Sequence, residues 1–208
     1  MNLVHVDELE LIPVGDHGLQ WRPIRSRFGI RSFGTNAYTA DVGHEIVEEH
    51  SETGQGHEEM YVVITGRATF TLDGDEVDAP AGTIVHLPDP SVRRKAVAGE
   101  PGTRVLAVGG KPGEAFRPSP WELGFRGAHM KPTEAVDYIE QHMREYPEAA
   151  ETHFNLACFK ALAGDRDGAL TEIARAYELE PDRVRKWAAN DSDLDSIRND
   201  PRYPLEAT

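Results

Sequence analysis

His50, Glu52, His57 and Glu59 fall within one short stretch of this 208-residue chain. Imidazole nitrogens and carboxylate oxygens are the usual protein ligands of divalent metals, so the four residues are candidate metal ligands. A set of two imidazoles and two carboxylates suits Mn, Fe, Ni or Zn without choosing among them. Tyr61 follows two residues after Glu59 and is a candidate to orient a substrate or to act as an acid. The competing reading is a solvated, charged rim with no metal. From Asp41 to Glu59 there are seven acidic residues and no Lys or Arg.

Strands would have to aim these groups. Met60–Ile64 is β-branched or aromatic apart from its methionine, follows a turn at Gly54 and Gly56, and leads to Gly66. Alternate residues of a strand share a face, so His57, Glu59, Tyr61 and Val63 point one way. If residues 47–52 form a second strand, Glu48, His50 and Glu52 share one of its faces. Two antiparallel strands would then converge both pairs of ligands.

The surrounding texture is short and β-like. Candidate strands cover residues 21–33, 35–40, 45–51, 59–65, 67–72, 83–87, 92–98 and 103–108, and residues 1–18 form a lead-in that could add an edge strand. Asp73-Gly74-Asp75 lies between two strand-like runs and lacks the ligand spacing of a calcium loop, so it reads as a hairpin turn. Many short strands at this spacing argue for a barrel or sandwich.

The pattern resembles the cupin superfamily over roughly residues 20–110. Glu59, six residues and Gly66 are similar to the end of the first cupin motif. Gly74, five residues and Pro80-Ala81-Gly82 are similar to the start of the second, with Pro88 at a usual proline position. The resemblance implies a double-stranded β-helix barrel with Glu59 facing inward. The family's His-x-His falls nearest to His50-Ser51-Glu52 or, alternatively, on Thr53 and Gln55. Its closing histidine falls on Arg93. Arg93 is therefore a candidate ligand-binding residue: directed inward, it would pair with Glu59 without metal or clamp a carboxylate ligand. Solvated strand-end residues are the plainer reading of Arg93, Arg94 and Lys95. His86 reads as packing or interface, and Arg22, Arg25, Arg27 and Arg31 as ordinary surface.

Composition changes after the barrel. Residues 111–131 are rich in Gly and Pro and read as a connector, laid over the barrel wall by Phe116, Trp121 and Phe125. Residues 132–208 read as helical, with Val136, Ile139, Met143 and Tyr146 at helical spacing. Residues 150–182 resemble one tetratricopeptide repeat, with Ala157, Gly164, Ala169, Ala176 and Pro181 matching its small and terminating positions. His153 stands where that repeat favours a large aromatic. One repeat cannot bury its own face, so it must stack on flanking helices, the barrel or another subunit. The expected organisation is thus mainly β plus α: a barrel over 1–110, the connector, and a small all-α helix-turn-helix domain.

Lys and Arg total 22 against 36 Asp and Glu, a formal net charge of −14. By our count each part carries −7: 12 basic against 19 acidic over 1–130, and 10 against 17 over 131–208. Such a surface repels nucleic-acid phosphates and anionic lipid, so neither is an expected partner. Cys158 is the single cysteine, excluding an intrachain disulfide, and it reads as a buried, inert thiol. With no membrane-length apolar run and no basic, apolar leader, the expected location is cytoplasmic.

Three functions fit these residues. The first is small-molecule binding in the barrel, around a divalent metal or metal-free, with the tail used for assembly. The second is a mononuclear metal oxygenase or isomerase, with His50, His57 and Glu59 on the metal. The third is a non-catalytic interaction module whose helical tail docks a peptide or protein. A homodimer is expected in each case.

Overall fold

A computed structural model describes residues 3–15, 18–146 and 148–205. The chain divides into two compact units, Met1–Arg117 and Pro118–Thr208.

The first unit is built on ten strands: β1 (Ile12–Val14), β2 (Leu19–Arg22), β3 (Gly34–Thr39), β4 (Glu45–His50), β5 (Glu58–Thr65), β6 (Arg67–Leu72), β7 (Asp75–Pro80), β8 (Ile84–Leu87), β9 (Arg94–Ala98) and β10 (Arg104–Gly110). They form two antiparallel sheets, ordered β1-β2-β3-β10-β5-β8 and β4-β9-β6-β7. Their inner faces share one core. Tyr61, Val63, Val85, Leu87 and Val105 come from the first sheet, and Ile46, Val47, Phe70, Ala79, Ala96 and Ala98 from the second.

Local chemistry explains the junctions. Asp73 and Gly74 both take positive φ, 50° and 98°, as a two-residue hairpin turn between β6 and β7 requires. The sequence reading passed over β7 because Asp75, Glu76 and Asp78 look unlike a strand. It is an edge strand exposed along most of its length, where charge blocks further pairing. β1 does pair with β2 at the opposite edge of the other sheet.

The expected continuous strand over 21–33 is corrected. It is replaced by β2, Pro23 and a short helix α1 (Ile24–Phe28), ended by Gly29 in the left-handed conformation. Proline fixes φ and removes a ladder donor, which stops the strand. Nor are Arg22 and Arg25 ordinary surface; both are buried. Arg22 Nη1 donates to the carbonyls of Val6 and Leu9 at 2.9 and 3.1 Å, tying down the lead-in.

The second unit holds α2 (Trp121–Gly127), α3 (Pro132–His142), α4 (Ala150–Ala163), α5 (Arg166–Leu179) and α6 (Pro181–Ala188). Gly164, left-handed at φ 86°, ends α4, and the Asp165 side chain caps α5 through the Gly168 amide. Pro181 opens α6, where its missing donor is harmless. Ala150, Ala157, Ala161, Ala169 and Ala176 let α4 and α5 approach closely, around Phe154, Leu170 and Ile173. Among the described residues, no helix is long and apolar enough to cross a membrane.

Candidate functional site

The end of β4, the turn after it and the start of β5 deliver the acidic and imidazole groups. β4 carries two register irregularities against β9, and the second leaves His50 directly opposite Arg94. Such bulges re-aim side chains, and directly opposed residues share a sheet face. Glu52 lies in the turn, held by its amide on the Pro90 carbonyl at 2.9 Å. Glu59 and Tyr61 share one face of β5, with Tyr61 and Val63 buried in the core.

His50, Glu52 and Glu59 each offer a ligand atom within 4.8 Å of the others. His50 Nε2 lies 3.5 Å from Glu52 Oε1 and 3.8 Å from Glu59 Oε2. His57 is not in this trio. It stands behind it, with Nδ1 3.0 Å from the other Glu52 oxygen, Oε2, and its ring 5.4 Å from that of Phe116. That contact is off the hydrogen-bond line, and Glu52 Oε2 is buried without a hydrogen-bond donor. His57 therefore contacts Glu52 without a hydrogen bond and stands outside the trio.

Two further groups touch Glu59. Tyr61 donates its hydroxyl to Glu59 Oε2 at 2.6 Å. Arg94 Nε lies 3.6 Å from the same oxygen, and the Arg94 side chain is 0% exposed. The arginine meeting Glu59 is therefore Arg94. Arg93 is on the surface, where its Nε donates to Glu49 at 2.5 Å. The sequence placed that guanidinium one residue early, and a one-residue slip reverses the face. The signal was present: Arg93 and Lys95 alternate on one side, while Arg94 shares the other with Ala96 and Ala98.

Burial pushes the Glu59 carboxyl up, but contacts with His50 and Tyr61 and the charge of Arg94 outweigh it, so its pKa lies below the ordinary value. Burial pushes the His50 imidazole down, and the opposing contacts with Glu59, the Glu48 carbonyl and Glu52 leave it raised. Tyr61 is raised well above the ordinary phenol by burial and then by the Glu59 charge, so its proton stays on the oxygen.

Backbone space completes the site. A Cβ on Gly109 would sit 2.9 Å from Glu59 Cγ and 3.1 Å from the Glu58 carbonyl. Phe116 packs on Gly34, where a Cβ would be 2.5 Å from its ring, and faces His57 and Arg25. Neither glycine was singled out from sequence, because nothing local marks a glycine that clears room for a group on another strand.

The remaining candidates lie apart. His86 is exposed and contacts Glu58 at 2.7 Å. Cys158 is buried, and burial followed by Asp191 and Asp193 pushes its thiol up, away from nucleophilic character.

No protein-family model matches the sequence, and no curated protein matches it. Solved structures similar to it include several described as cupins. A sugar phosphate isomerase from a cupin superfamily, from Silicibacter pomeroyi, is 16% identical over 53% of this chain and 76% of its own, with TM-score 0.46. KdgF from Halomonas sp. is 20% identical over 54% of this chain and 92% of its own, at 0.42. The polyketide cyclase RemF from Streptomyces resistomycificus is 20% identical over 55% and 81%, at 0.44. No activity is carried over from these likenesses.

Proposed function

We propose that the first unit is a cupin-like double-stranded β-helix barrel that binds a small molecule at a divalent metal held by His50, Glu52 and Glu59. The observation carrying this is the convergence of those three donors, each offering a ligand atom within 4.8 Å of the others. One imidazole and two carboxylates fit Mn, Fe, Ni or Zn. When bound, such an ion supplies Lewis-acid polarisation of a ligand oxygen. Arg94 replaces Arg93 as the basic ligand-binding group. The helical unit is a tetratricopeptide-like element used for homodimer assembly or for docking a peptide or protein partner.

The test is elemental analysis of protein purified without a histidine tag, beside Glu59→Gln. Near-stoichiometric metal in the wild type and a clear loss in the variant support the reading. A metal-free wild type that also fails to take up added Mn, Fe, Ni or Zn refutes it.

A second reading, an oxygenase or isomerase, draws on Tyr61. Its buried hydroxyl donates to Glu59 and keeps its proton, so it would orient a substrate beside the metal as a hydrogen-bond donor. Tyr61→Phe would then abolish turnover while leaving metal content unchanged.

A further inference from the structure

Among the described residues, nothing satisfies the donors of the Arg94 guanidinium. A guanidinium presents five N–H groups in a rigid fork and keeps its charge in proteins. The Arg94 side chain is fully buried, and Nε, Nη1 and Nη2 all lack a hydrogen-bond partner. Its ion-pair contact among the described residues is Glu59 Oε2, at 3.6 Å from Nε, and its charge also lowers the Asp89 pKa. That oxygen is already engaged by the Tyr61 hydroxyl at 2.6 Å. Leaving a buried charged donor unmet is costly, and an all-protein ion pair would close to hydrogen-bond distance. His50 and Leu72 are its cross-strand neighbours, and the first of these places Arg94 on the face of the metal-ligand trio.

We infer that Arg94 is the recognition group for a carboxylate of the bound small molecule, which it receives through its fork beside His50, Glu52 and Glu59. This rests on the metal-bound barrel proposed above. Charge selects the ligand class. Leaving the imidazoles out of the count, Arg94, Glu52 and Glu59 sum to −1, which repels an anion. A divalent ion raises the sum to +1, and one carboxylate neutralises it. A phosphate dianion would leave −1. A guanidinium forks onto phosphate as well as onto carboxylate, so the preference rests on the charge of the dianion. The ligand class is therefore a small organic acid, and its binding depends on metal.

The test is calorimetric titration of the full-length protein with acetate, glycolate and succinate, with and without saturating Mn2+. Inorganic phosphate and ethylene glycol serve as controls. At least one carboxylate should bind the Mn2+-loaded wild type and not the metal-free protein. Arg94→Met should weaken it by roughly tenfold or more, the scale of one lost charge-assisted pair. Arg94→Lys keeps the charge without the fork and should fall between, and it serves alone if the methionine variant does not fold. Mn2+ affinity, titrated separately, should change by less than about threefold in either variant. Equal carboxylate affinity in wild type and variants, with Mn2+ bound by all, overturns the Arg94 assignment alone. So does tighter binding of phosphate than of any carboxylate. A wild type that binds no Mn2+ overturns the metal reading and, with the site left at −1, this inference too.

Discussion

Glu59 Oε2 is within 4 Å of an imidazole, a phenol and a guanidinium, so its replacement tests three partners at once. Glu59→Gln removes the charge with little change of shape, and Arg94→Met removes the guanidinium. In metal-free protein each should destabilise by about 1–5 kcal/mol, since each strands a buried partner. The double variant should lose less than the sum, because its members share one interaction. Additive losses in chemical denaturation would show that the 3.6 Å contact carries no coupling. His50 and Glu59 set a pH dependence. His50 is raised, so its contribution is complete below its ordinary value of 6.5 and fades as pH rises through the folded value. Glu59 is lowered, so its contribution is complete above its ordinary 4.5 and fades as pH falls through the folded value. The metal-free protein should thus have its highest unfolding midpoint between those two ordinary values, and His50→Gln should remove the decline on the alkaline side. A wild-type midpoint that keeps rising past neutrality would contradict this. From sequence, residue types and strand parity singled out His50, Glu52, His57 and Glu59 together. They did not show that His57 would contact Glu52 instead of joining the other three. His57 and Glu59 obey the same parity, and only the path of the turn leaves His57 behind Glu52.

At the scale of elements, β10 serves the site without contributing a polar group. It pairs β5 with Gly109 opposite Glu59, and the missing Cβ is the space the Glu59 side chain passes through. Gly109→Ala should move the carboxylate and lower metal affinity about tenfold or more, a displacement worth roughly 1–2 kcal/mol in binding. Because β10 keeps its ladder, the unfolding midpoint should fall only modestly, as for a small overpacked position. Metal affinity equal to wild type would mean that the strand absorbs the methyl group and Gly109 has no positioning role. This dependence was not legible in the sequence, since a glycine at a strand end reads as a weak break in the pattern. The hairpin at Asp73-Gly74 was legible, because its turn chemistry is written in adjacent residues. β7 was not, because an acidic edge strand contradicts propensity until its place in the sheet is known. The helix pair α4–α5 was legible for the reason the barrel's interior arginine was not: helical packing repeats over many positions, whereas one strand-register step decides Arg93 or Arg94.

At the scale of the whole molecule, a formal charge of −14 opposes chance association of copies, so any stable assembly needs a specific apolar patch. The outer face of the six-stranded sheet offers one. Val62 pairs with Ile84 on β8 and with Leu106 on β10, all on the face opposite the buried Tyr61, Val63, Val85 and Val105. Ile84 is 61% exposed and Ile64, two residues from Val62 on the same face, is 40% exposed. His86 and Glu58, on this face too, are exposed polar groups beside the apolar residues, the arrangement of an interface rim. We propose that the homodimer forms through this face, which leaves the helical unit for docking a partner. Sedimentation velocity at tens of micromolar should give a dimer, strengthened by added salt as the like charges are screened. Ile84→Glu should yield a monomer, because two carboxylates would be buried across a symmetric contact without partners. Its metal content should be unchanged, since Ile84 points away from the Glu59 side of the sheet. A wild type that sediments as a monomer eliminates the dimer. A dimer that persists in Ile84→Glu moves the contact to another surface.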